Sequence, residues 1–101
     1  MALLPSTRIC GAAVTDTKGE PLGTITDFMV DHEHGGIAYA VFARGGLLGI
    51  GEKLFAIPWN AFTVEPLAGS IQLDVTAAAL DAAKGIDRDV WPAHPLKDWL
   101  A

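Results

Sequence analysis

The chain has 101 residues, 50% of them apolar and only 19% charged, with a formal net charge of −5 and a mean hydropathy of +0.32. That length accommodates one hydrophobic core, and the composition is too apolar for disorder. The seven basic residues are scattered singly, which argues against a nucleic-acid ligand, since such a ligand needs a basic patch.

Residues 1–5 carry no basic segment followed by an apolar run, so no secretory signal is expected and the cytoplasm is the expected compartment. Residues 9–14 read as a first strand. It holds Cys10, the only cysteine, which excludes an intramolecular disulfide and reads as an inert thiol. A turn at 16–20 follows, with Gly19 free to take a positive φ. Residues 22–30 form a second strand rich in β-branched and aromatic residues. Its alternation slips, and a bulge near Thr26 and Asp27 would set Ile25, Phe28 and Val30 on one face.

After a polar turn at 31–36, the third strand at 37–43 is apolar on both faces. Ile37, Tyr39 and Val41 share one, and Ala38, Ala40 and Phe42 the other. Such a strand has no plain solvent side, so either the C-terminal helix or a second subunit must cover it. The apolar stretch 37–57 contains Arg44, Glu52, Lys53 and four glycines, which argues against a membrane span. Residues 45–51 are a wide loop whose Leu47, Leu48 and Ile50 either tuck over the barrel end or face a partner. A fourth strand at 53–57 stops at Pro58, and a tight or helical turn spans 59–62. A hairpin pairs 63–65 with 70–75 around a turn at 66–69.

The period then changes. Residues 76–84 read as a helix, with Thr76 as N-cap, Lys84 in the last turn and Gly85 beyond it. The tail, 85–101, holds Trp91 and Trp99 but has no core of its own, so both tryptophans should dock on the barrel or on a partner. The expected fold is mainly β: a small, strongly bent antiparallel β-barrel of about six strands with one short C-terminal helix. It is one domain over 1–101, with the barrel at about 7–75, the helix at about 76–84 and the tail after it.

Candidate chemistry is sparse. His32 and His34 point the same way if their segment is extended, and with Asp31 or Glu33 they form the sharpest cluster of metal-ligand types. A solvated turn explains the same residues, and counting an EF-hand loop from Asp31 puts Phe42 where a bidentate Glu is required. The glycine-rich loop lacks the Gly-Lys-Ser/Thr of a phosphate loop. Neither Ser6 nor Ser70 sits in a nucleophile elbow. No enzyme, cofactor or metal is expected.

The ordered pieces Gly11-Ala12-Ala13-Val14-Thr15-Asp16, Gly19-Glu20-Pro21-Leu22-Gly23-Thr24-Ile25-Thr26-Asp27 and Gly36-Ile37-Ala38-Tyr39-Ala40-Val41 resemble a PRC-barrel domain. So do Gly45-Gly46, the run from Gly49 through Ile57-Pro58-Trp59, and the ending Asp87-Arg88-Asp89-Val90-Trp91-Pro92. The last of these looks like stand-alone bacterial members. The family includes the cytoplasmic part of the reaction-centre H subunit and the C-terminal half of a ribosome-maturation factor. The resemblance implies a bent barrel used for protein interaction, with no shared catalytic set, in proteins often near stress or photosynthesis functions. Neither a membrane helix like the first's nor an extra domain like the second's is expected here, so neither specific role is expected to carry over. The expected function is a non-catalytic interaction module, homodimeric, with Tyr39, Phe42, Leu47, Leu48, Ile50, Trp91 and Trp99 as contact residues. The alternatives are a small-molecule or metal sensor using Asp31, His32 and His34, and an RNA-processing accessory.

Overall fold

The computed structural model describes residues 3–45, 51–65, 70–87 and 89–93. They form helix α1 (Ser6–Ile9), strands β1 (Ala13–Thr15), β2 (Pro21–Asp31), β3 (Gly36–Arg44) and β4 (Lys53–Pro58), a 3-10 turn (Trp59–Ala61), β5 (Phe62–Glu65), β6 (Ser70–Leu73) and helix α2 (Ala77–Ala82). The first predicted strand is mostly wrong: Ser6–Ile9 is a helical turn, and the strand is only Ala13–Thr15. Pro5 starts that turn, where a missing N–H costs nothing, and Ile9 at its end reaches the core.

The six strands make one sheet in the order β4-β3-β2-β1-β6-β5, curled into a half-barrel. The sheet is mixed rather than purely antiparallel, because β1 pairs with β6 in parallel through Val14 and Ile71. The connection between these two strands spans most of the chain, so no tight turn dictates their direction.

The predicted bulge is present. The β2–β3 register runs from Ile25 opposite Phe42 to Asp27 opposite Val41, leaving Thr26 as the extra residue. Its own side chains stabilise it: Thr26 Oγ1 donates to the Val41 carbonyl at 3.3 Å, and the Asp27 carboxylate accepts the Phe28 N–H at 2.8 Å. Ile25 and Phe28 therefore reach the same core. Val30 does not. It was expected in the barrel but is 56% exposed, because the hairpin carries it past the enclosed region. A second irregularity leaves Ala38 unpaired on β3, which breaks the simple alternation read from the sequence.

All six strands contribute to the main core, through Val14, Leu22, Ile25, Phe42, Phe55, Ile57, Phe62, Ile71 and Leu73, with Ile9 from α1 and Leu80 from α2. The Phe42 and Phe55 rings, on paired strands, sit 6.1 Å apart at a tilt of 51°. Gly23 is what lets β2 lie this close to β3: a Cβ there would overlap the Ala43 carbonyl oxygen and come within 2.8 Å of the Phe42 ring.

A second apolar cluster lies on the other face of β3 and β4, formed by Tyr39, Val41, Ala43, Leu54 and Ala56. Val41 belongs here, on the face that the sequence pattern gives it with Tyr39. This cluster is the outer face whose cover the sequence left open. The chain itself covers part of it: Met29 and Ala38 pack against it, and so does Ile86 from the segment after α2. The Ile86 N–H donates to the Leu54 carbonyl at 2.7 Å, extending the pairing of edge strand β4. Gly85 makes that approach possible. Its φ is +76°, and a Cβ there would sit 2.5 Å from the Leu54 carbonyl oxygen.

Helix α2 starts as predicted, with the Ala79 N–H donating to Thr76 Oγ1 at 3.1 Å. It ends sooner than predicted, at Ala82, where Ala83 turns extended, and Lys53 of β4 satisfies the carbonyls left free. Lys53 Nζ donates to the carbonyls of Asp81 at 2.8 Å and Ala83 at 2.6 Å, with that of Leu80 at 3.4 Å.

Candidate functional site

Arg44 lies opposite Lys53 at one end of the β3–β4 pair, and both cations are committed to the fold. Arg44 donates to the Leu22 carbonyl at 2.7 Å and to the Asp81 carboxylate at 2.9 Å. This contact holds the Asp81 carboxyl below its ordinary value, chiefly through the hydrogen bond from Arg44.

The opposite end holds the turn between β2 and β3. There the Asp31 carboxylate organises the chain reversal. One oxygen accepts the N–H groups of Glu33 and His34, at 3.0 and 3.1 Å, and the other lies 2.8 Å from His34 Nδ1. The hydrogen bond with the His34 ring, and then the His34 N–H, lower the Asp31 pKa below its ordinary 3.8. Residues 32–35 are a turn rather than an extended strand, so the shared direction expected of His32 and His34 does not follow. Among the described residues, no group of three or more His, Cys, Asp or Glu is placed to hold a metal ion.

Beside this turn is an open groove of about 650 Å³. Met29, Val30, Ile37 and Tyr39 line it from the hairpin, and Pro92 and Ala93 from the tail. The Tyr39 hydroxyl fixes the tail there by donating to the Pro92 carbonyl at 2.8 Å. Burial raises the pKa of this phenol above its ordinary 10.0. An Asp87 turn precedes the docked segment, with the carboxylate accepting the Asp89 N–H and the main-chain carbonyl accepting that of Val90.

The expected contact residues therefore divide. Phe42 and Tyr39 are 0% and 1% exposed and packed within this chain's own clusters, with Tyr39 also bordering the groove. Trp91, adjacent to the groove residue Pro92, remains 45% exposed. Leu47, Leu48, Ile50 and Trp99 lie outside the described residues. Sequence reasoning missed Val30 and Val90, which are 56% and 66% exposed. Val30 was assigned to the barrel because it continues the Phe28 phase; its closeness to the turn was the only warning.

The fold and this end groove define a small curled-sheet barrel module. A family model for the PRC-barrel domain matches residues 1–80, and the chain belongs to that family. No curated protein matches it. Among the described residues, no helix is long and apolar enough to cross a membrane.

Proposed function

We propose that the chain is a non-catalytic, cytoplasmic interaction module, and that its contact surface is the groove between the β2–β3 turn and the tail. The observation that carries this reading is the apolar area left outside the folded core. Val30 lines the groove, exposed Trp91 directly precedes Pro92, which lines it too, and exposed Val90 comes one residue earlier; Leu3, at 80% exposed, stands apart from this set. Apolar residues concentrated at one place mark interaction surfaces, whereas scattered ones carry no such meaning.

The homodimer expected from the two-faced third strand loses part of its motive, since Met29, Ile86 and the Pro92 segment cover that face from within the chain. The test is a photo-crosslinking side chain placed at Val30, at Trp91 or, as control, at the exposed Thr17 in the β1–β2 turn. Capture of a macromolecule in host cells from the first two positions and not the third supports the reading. Equal labelling at all three, or labelling at none, refutes it.

A further inference from the structure

We infer that this groove takes a partner segment in which an apolar side chain stands next to lysine or arginine. The inference rests on the interaction reading and specifies the chemistry of what is met. The floor, with Met29, Val30, Ile37 and Pro92, provides an apolar seat. The rim carries Asp31 and Glu33 beside His32 and His34, and none of the described residues lining the groove is a lysine or arginine; Asp31 is already bonded to His34, so Glu33 is the carboxylate that faces an incoming cation. The hydrogen bonds that Asp31 accepts favour its ionised form, and Glu33 stands exposed.

Charge also separates the possible occupants. A symmetric dimer through this face would place two copies of the same acidic rim in one interface, in a chain of net charge −5. Like charges juxtaposed at an interface oppose association. A basic, apolar segment of a different protein meets both the floor and the rim.

The experiment uses the full chain and fluorescent peptides with a central Trp-Leu anchor, flanked by lysines, serines or glutamates. Anisotropy at about 50 mM salt should show the lysine peptide binding at least about tenfold more tightly than the glutamate peptide, and at about 500 mM that advantage should shrink. Val30→Ser should weaken all peptides, and Glu33→Lys should narrow the lysine preference. Both positions are exposed, so unchanged thermal midpoints will show that the variants are folded. Equal or tighter binding of the glutamate peptide, or indifference to Val30→Ser, overturns the inference. Failure of every peptide while Val30 still crosslinks a protein in cells overturns it too, but leaves the interaction module standing. A dimer in sedimentation equilibrium that Val30→Ser dissolves would assign the groove to a second copy. Displacement of the lysine peptide by one with the sequence of residues 94–101 would assign it to the chain's own C-terminus. Either result overturns the inference.

Discussion

The two ends of the β3–β4 ribbon use their residues in opposite ways. At the Arg44–Lys53 end, two cations are spent on carbonyls and on Asp81, and α2 is fastened across the strands. At the Tyr39 end, one hydroxyl holds the tail, and valine and tryptophan side chains are left in water. A polar group that satisfies the ends of a helix cannot also recognise a partner, whereas apolar area outside the core stays free to do so. The first end ties helix and strands together, and the second leaves apolar area in water.

That contrast can be broken by substitution. Neither end should matter as much as the core between them: Phe42→Ala, at a site with no exposure, should cost about 3–5 kcal/mol in chemical denaturation. Lys53→Met, at the fastened end, leaves the last carbonyls of α2 without their donor and should cost about 1–2 kcal/mol by the same measurement. Tyr39→Phe should cost about 0.5–1.5 kcal/mol and loosen the Pro92 segment, read as faster amide exchange near Ile86 and Val90. Because Tyr39 is the only tyrosine, absorbance of the phenolate in the intact protein reports on it alone, and its midpoint should lie above 10.0.

The Arg44–Asp81 contact sets a pH dependence. The folded-state pKa of Asp81 is depressed, so its contribution is present above the ordinary carboxylate value of 3.8 and is lost as pH falls through the lower folded value. The stability difference between the native chain and Asp81→Asn should therefore close on acidification. Smallest of all, Val30→Ser should leave stability within about 0.5 kcal/mol while abolishing crosslinked capture through Trp91. A large stability loss there would place Val30 in the core after all and erase the difference between the ends.

Much of the sheet was legible because its strands follow one another with glycine-bearing turns between them, and because the misphased run at Thr26 and Asp27 announced its own bulge. The parallel pairing of β1 with β6 was not legible, since it joins segments far apart in sequence and leaves no local pattern. The short strands hid α1, where an apolar Ile9 after three polar residues resembles the start of a strand. The groove was half visible. Trp91 stood out as a large apolar residue in a tail without a core. Val30 looked like core, because periodicity reports which face a side chain takes and not whether anything faces it. Tyr39 and Phe42 show the same limit: the pattern revealed two apolar faces, and only the fold shows that these two side chains are buried within the chain itself.

The parallel pairing has a consequence for how the protein is made. Strands β1 to β4 form a meander of sequential neighbours and can assemble as they leave the ribosome. The sheet is joined to β5 and β6 only when Ile71 finds Val14, across most of the chain. Until then β1 presents an unpaired edge beside an incomplete core. Closing so long a loop is costly before it is rewarded, so this late step should limit the folding rate. Weakening it by Val14→Ala or Ile71→Ala would lengthen the time the nascent chain spends with its apolar interior exposed.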